Sequence, residues 1–195
     1  MTEVPAMARR RVEKMGRLAF QVATWCQGEA LGRPLIFASR HGDVGRSMEL
    51  LTSLAKGEPL SPTSFALSVH NAIGAQYSII RQERSAVSAI SNGRHTLEAA
   101  VIEAVTQLQE APEVVLVAYE ASLPELYEPY LDDAQADFAF AWKLTKGDAF
   151  SLSLRSGQAV GEAPRQAHSL EVFRFFLSGE TKHFQSDTYE WSRLS

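Results

Sequence analysis

Residues 84–109, RSAVSAISNGRHTLEAAVIEAVTQLQ, constrain the fold more than any other stretch of this chain. They read as strand, sharp turn, helix. Val87 and Ala89 belong to a small-residue segment suited to a buried strand. Ser91, Asn92 and Gly93 carry turn chemistry, because a glycine takes backbone angles that a side chain forbids. Leu97, Ala100, Val101, Ala104 and Leu108 then recur at helical spacing. Many α/β enzymes hold a nucleophile on such an elbow, at a helix N-terminus whose amides stabilise an anion. Here the tip is Ile90, which has no heteroatom with which to attack a carbonyl. A buried strand–turn–helix unit without chemistry is the reading that the local pattern favours.

The chain around this unit has 195 residues, which predicts one domain, residues 1–195, with a core of ordinary size. A net charge of −4 leaves no overall electrostatic footprint for nucleic acid. No apolar run approaches the length of a membrane span, and the basic start MTEVPAMARRRVEK is not followed by the apolar region of a signal peptide. With Cys26 as the single cysteine, no intrachain disulfide is possible, and a cytoplasmic location is the simplest expectation.

Residues 9–27 form an amphipathic helix with Val12, Met15, Leu18, Ala19, Val22, Trp25 and Cys26 as its apolar stripe. Cys26 on that stripe reads as a buried, inert thiol. Arg10, Lys14, Arg17 and Gln21 line another face. That face is either solvated charge or a docking surface for an acidic partner. Residues 33–39 suit a strand buried on both sides. Asp43 caps the next helix, which is expected to turn Val44, Met48, Leu51 and Leu54 inward. His41, in the loop between them, either lines a site or has no role.

Ser61 followed by Pro62 starts a further helical segment, FALSVHNAIGAQYSII, over residues 65–80. Its Ala72, Gly74 and Ala75 permit another backbone to approach closely. The embedded His70 and Asn71 fit a site wall, a subunit interface, or a core pair satisfied by backbone hydrogen bonds. Residues 113–120, EVVLVAYE, are the clearest buried strand. The order of strands and helices predicts a mostly parallel sheet with helices on both faces. Alternation over residues 138–144 and 150–154 predicts two half-buried strands, joined as an antiparallel hairpin through Lys146, Gly147 and Asp148. A loop over residues 157–165, a short helix ending at Gly179 and a last strand with Phe184, Tyr189 and Trp191 complete the chain.

Direct signs of chemistry are few. There is no phosphate-binding glycine loop, no G-x-S-x-G, and no metal-ligand spacing among the five histidines and Cys26. No cofactor or metal is called for. Ser88 and Ser91 flank the elbow without an assignable base, and Asp132 and Asp133 lie in a polar stretch that reads as solvated.

The segments PLIFASRHGD, EPLSPTSFALSVHNAIGAQYSI, SAVSAISNGRHTLEAAVIEA and VLVAYEASLPELY resemble the N-terminal half of the β-ketoacyl synthases. They are most similar to the short, ketosynthase-like chain-length factors of aryl-polyene gene clusters. The likeness runs from about Arg9 to Tyr130 and implies a thiolase-like fold. In catalytic members the elbow carries a cysteine in a pattern like T-A-C-x-x-G. Matching Gly93 to the family glycine puts Ile90 on the cysteine position. The family's catalytic histidines lie in a second half-domain for which this chain has no room. Relative to that fold, the first strand is missing or supplied otherwise.

The resemblance thus implies a non-catalytic subunit that pairs with a full-length β-ketoacyl synthase, meets an acyl carrier protein only indirectly, and shapes acyl-chain elongation. It also implies that the strand at residues 85–89 is buried against the partner. Ile90, Ser88, Ser91, Asn92, Gly93, His70 and Asn71 become candidates for an acyl-tunnel wall or a vestigial site. Two rivals are a divergent acyltransferase or synthase using Ser88 or Ser91 with His70, and a carrier-binding module using Arg10, Lys14 and Arg17.

Overall fold

The computed structural model describes residues 12–155 and 166–194. Among them, seven strands and six α-helices form two unequal sheets. In chain order these are α1 (Lys14–Gln27), β1 (Leu35–Ala38), α2 (Val44–Ala55), α3 (Pro62–Ala66), α4 (Ala72–Arg81), β2 (Val87–Ile90), α5 (Thr96–Gln107) and β3 (Glu113–Glu120). A 3-10 turn at Glu125–Tyr130 leads to β4 (Phe138–Thr145) and β5 (Phe150–Leu154). Then come α6 (His168–Ser178), β6 (His183–Gln185) and β7 (Tyr189–Arg193). The predicted loop at residues 157–165 lies outside the described residues, as does Arg10.

The main sheet has the order β2-β1-β3-β4. β1 runs parallel to both β2 and β3, and β4 closes the sheet antiparallel to β3. The mostly parallel order follows from the helical crossovers that join its strands. Side chains alternate across it with the period of a strand. Leu35 and Phe37 of β1, with Val115, Val117 and Tyr119 of β3, face α1 and α4. Ile36 and Ala38, with Val114, Leu116 and Ala118, face α5, α6 and the smaller sheet. Both sides of these two strands are therefore core, which is why they read as unbroken apolar runs.

Several local predictions hold. Asp43 caps α2 by accepting from the Arg46 amide at 3.1 Å, and the Ser61 hydroxyl accepts from the Ser64 amide at 3.2 Å. Leu97, Ala100, Val101, Ala104 and Leu108 are all buried. Gly179 ends α6 with a φ of 64°.

Others are corrected. α1 buries Met15, Ala19, Phe20 and Ala23, while Trp25 is 71% exposed and Leu18 also reaches solvent. The buried face is rotated from the predicted stripe because α1 must match β3 and β4 beneath it. α2 buries none of its residues, and Leu51 and Leu54 point outward. Residues 65–80 are not one helix, since α3 stops at Ala66 and α4 begins at Ala72. Gly74 faces the chain's own sheet: a Cβ there would meet Val87 Cγ1 at 3.0 Å and Phe37 Cδ2 at 3.1 Å. Ala72 is buried with it, so the small residues serve internal packing more than an outer surface.

The expected hairpin of residues 138–144 with 150–154 does not form. β4 pairs with β3 in the main sheet, whereas β5 pairs with β7 in a separate antiparallel sheet of order β5-β7-β6. The C-terminal antiparallel hairpin is instead β6–β7. The turn residues after β4 change sheets, and the aromatic side chains on β4 and β5 meet through α6. Phe140 stacks on Phe173 at 4.3 Å between ring centroids, and Phe150 lies 4.4 Å from Phe176.

Candidate functional site

The elbow is built as its residues dictate. Gly93 has a φ of 55°, and nothing lies within 4 Å of where its Cβ would stand. Backbone angle rather than crowding therefore calls for glycine. The turn is closed from inside. The Asn92 amide donates to Thr96 Oγ1 at 2.9 Å, whose own hydroxyl donates to the Gly93 carbonyl at 2.7 Å. The amides of His95 and Thr96 donate to the carbonyls of Asn92 and Gly93. These three amides are spent within the turn instead of being held out toward an anion.

Ile90 ends β2 opposite Ala38 and packs, half-buried, against the cluster that contains Leu97 and Ile36. The Ser91 hydroxyl donates to the Arg40 carbonyl at 2.8 Å. Ser88 accepts from Gln107 Nε2 at 3.2 Å. His70 Nε2 lies 2.7 Å from the Ser39 carbonyl, and Asn71 is exposed at the start of α4. Neither serine has His70 as its hydrogen-bond partner, so the elbow and the His70–Asn71 pair do not form a nucleophile–base unit here. Nor are His70 and Asn71 a buried pair. His70 anchors the start of α4 to the end of β1.

β2 is an edge strand, paired only with β1 among the described residues. It is short, at four residues, but carries neither lysine nor proline. Beside it runs a groove of about 310 Å³ lined by Asn71, Gly74, Ala75, Ser85, Ser88 and Ala89. The helices next to β2 expose Ile79 on α4 and Ile102 and Val105 on α5. Leu51, Leu54, Phe65 and Val69 add exposed apolar surface on α2, α3 and the segment after α3.

A second polar feature sits beyond the C-terminal ends of β1 and β3. A cleft there, about 30 Å³, has room for a water molecule and is lined by Arg40, His41, Gly93, Glu120 and Asp133, among others. Glu120 accepts from the Arg40 amide. Burial nevertheless pushes its carboxyl up to about 7. The Arg40 guanidinium pairs with Asp132, and their hydrogen bond lowers the Asp132 carboxyl. The Asp133 side chain is 8% exposed rather than solvated, and accepts from the His168 amide at 3.0 Å where α6 begins. Burial and then Arg40 lower His41, which lines the same cleft.

On α1, Lys14 is paired with Asp137 of the chain itself at 2.7 Å, and Arg17 Nε donates to the Val12 carbonyl. Cys26 is half-buried, and burial raises its thiol. One grouping was missed in the sequence. His95, Glu98 and His168 place ligand atoms within 4.8 Å of one another, although His168 comes from a distant element and forms no spacing motif with the other two. Burial alone would raise the Glu98 carboxyl, but its hydrogen bond and charge interaction with His168 outweigh that and lower it.

The family profile described as "β-ketoacyl synthase, N-terminal domain" matches residues 1–192. Direct sequence comparison finds no match among curated proteins. Among solved structures, the chain is similar to one in the complex of the ketosynthase ApeO with its chain length factor ApeC from Xenorhabdus doucetiae. The TM-score is 0.87 and the identity 28%, over 97% of this chain and 82% of that one. The ishigamide ketosynthase/chain length factor matches at 0.61 with 10% identity, over 77% of this chain and 51% of the other. A β-ketoacyl synthase from Burkholderia phymatum matches at 0.56 with 13% identity, over 82% and 52%. At those identities the last two speak for the thiolase-like ketosynthase fold alone. By the profile that spans nearly its whole length, the chain belongs to the β-ketoacyl synthase N-terminal-domain family.

Proposed function

We propose that this chain is a non-catalytic, ketosynthase-like chain length factor. It pairs with a full-length β-ketoacyl synthase and helps shape the space into which the acyl chain grows. The observation that carries this reading is the edge strand β2, open on one side among the described residues and flanked by exposed isoleucine and valine on α4 and α5. An open strand edge beside apolar helices is a surface that needs a covering chain. The similarity to a ketosynthase–chain length factor complex names a fitting cover. Ile90 at the elbow tip supports an apolar wall in place of a reaction centre. A carrier protein would then meet the assembled pair rather than this subunit alone. The free thiol of Cys26 suits the reducing cytoplasm.

The test is co-expression with a complete β-ketoacyl synthase of the same organism, with the mass of the purified species read by light scattering. A stable one-to-one pair is the expected result. A monomer or self-dimer that ignores the ketosynthase sinks the proposal. Within such a pair, Ile90→Trp is expected to shorten the product, as read by mass spectrometry, while leaving the pair intact. Unchanged product length would remove Ile90 from the tunnel wall.

A further inference from the structure

We propose that His95, Glu98 and His168 bind a divalent transition-metal ion of the zinc class. Glu98 lies in the first turn of α5, His95 immediately precedes that helix, and His168 opens α6. Their ligand atoms all lie within 4.8 Å of one another. The two imidazoles meet edge to face, with centroids 5.1 Å apart. Two imidazoles and a carboxylate are a donor set suited to zinc, whereas calcium and magnesium favour all-oxygen cages.

The unmatched atoms give the stronger argument. Glu98 is 0% exposed and His168 1% exposed. Glu98 Oε2, His168 Nδ1 and His95 Nδ1 are all buried without a hydrogen-bond partner. Buried polar atoms are nearly always satisfied, so orphans that face one another mark a place for a ligand. Two of them, His95 Nδ1 and Glu98 Oε2, face each other at 3.9 Å. That is too long for a hydrogen bond. It approaches the roughly 3.4 Å that separates two tetrahedral ligands about 2.1 Å from a shared zinc. His168 Nε2, hydrogen-bonded to Glu98 Oε1 at 2.7 Å, is the third donor and would give up that bond to the ion.

The surrounding groups orient these donors. His95 Nε2 lies 2.9 Å from Asp187 Oδ1. A carboxylate on the far nitrogen fixes the tautomer that leaves Nδ1 as a lone-pair donor, which is the usual support for a metal-bound histidine. Trp191 Nε1 donates to Glu98 Oε1 at 3.2 Å and holds that carboxylate in place. Asp187 is about half-exposed, so an ion has access from its side. A bound ion would tie α5 to α6 and to the connection between β6 and β7. This is a structural clamp between the elbow helix and the C-terminal layer.

The experiment uses the full-length chain with its affinity tag removed and metal stripped by chelator. Zinc is titrated by calorimetry, and cobalt(II) is followed by its visible absorption. One equivalent of zinc is expected to bind, cobalt is expected to give the intense bands of a four-coordinate site, and zinc is expected to raise the unfolding midpoint. His95→Gln, at the most accessible of the three ligands, should weaken binding at least tenfold. Asp187→Asn should weaken it by about 10- to 100-fold. Both variants should unfold at the unchanged metal-free midpoint. No saturable binding at micromolar zinc overturns the proposal, and that is the result if the cluster holds only buried water. Binding that survives His95→Gln overturns it as well.

Discussion

Helices α1 and α2 are comparably amphipathic and meet opposite fates. α1 lays Met15, Ala19, Phe20 and Ala23 on the sheet and is held there by Lys14 to Asp137. α2 buries no side chain and leaves Leu51 and Leu54 more than half exposed. It is tied down mainly by polar contacts at its root. Asp43 caps it, Arg46 pairs with Asp43 and Glu13, and Gly42 packs against His70. An amphipathic pattern states that one face needs covering. It does not state which body covers it. α3 packs beside α2 and exposes Phe65, so the uncovered surface is shared between two elements, as expected of an interface rather than of a stray leucine.

The contrast can be broken in order of expected effect. Phe20→Ala removes a fully buried ring from the α1 face. It should destabilise the chain by about 3–5 kcal/mol in urea unfolding, and a loss below about 1 kcal/mol would mean that α1 is not a core helix. Leu51→Asp with Leu54→Asp should leave the stability of the free chain within about 0.5 kcal/mol. The same pair of changes should weaken the ketosynthase complex at least ~100-fold, or about 2.7 kcal/mol, in a titration by interferometry. Equal affinity would show that α2 faces solvent in the complex too.

Glu120 sharpens the comparison at the root of α2, because it accepts from the amide of Arg40 just ahead of that helix. Its carboxyl stands near 7 in the fold, against 4.5 when exposed. The folded state therefore retains a proton that the unfolded state has released. This group's contribution is fully present below about pH 4.5 and is lost as pH rises through about 7. Glu120→Gln should accordingly raise stability by about 2 kcal/mol at pH 8 and change it little at pH 4.5. A gain of equal size at both pH values would contradict the assignment. The smallest effect is expected at Lys14. Its hydrogen bond, with those of Ser122, holds Asp137 near 2, so the contribution is present above about 3.8 and is lost as pH falls through 2. Both partners are substantially exposed, and Lys14→Ala should cost under about 1 kcal/mol, mostly removed by 1 M salt. A carrier-docking role for this face predicts more: Lys14→Glu would then weaken carrier binding without weakening the ketosynthase pair.

What the sequence by itself determined is whatever repeats over a few residues. The helix after Gly93, the capping by Asp43 and Ser61, and the buried runs of β1 and β3 each follow from backbone periods and local hydrogen bonds. The turn at Gly93 was legible for the same reason, since its φ of 55° is one that glycine adopts freely. The tertiary structure alone decided which surfaces meet. Lys146, Gly147 and Asp148 allow a tight hairpin, yet β5 pairs with β7, because aromatic packing around α6 outweighs a local turn preference. The rotation of α1, the outward face of α2 and the meeting of His95 and Glu98 with His168 are long-range choices of the same kind. A periodic pattern records how a segment curls and which side is apolar. It carries no record of the distant segment that will press against it.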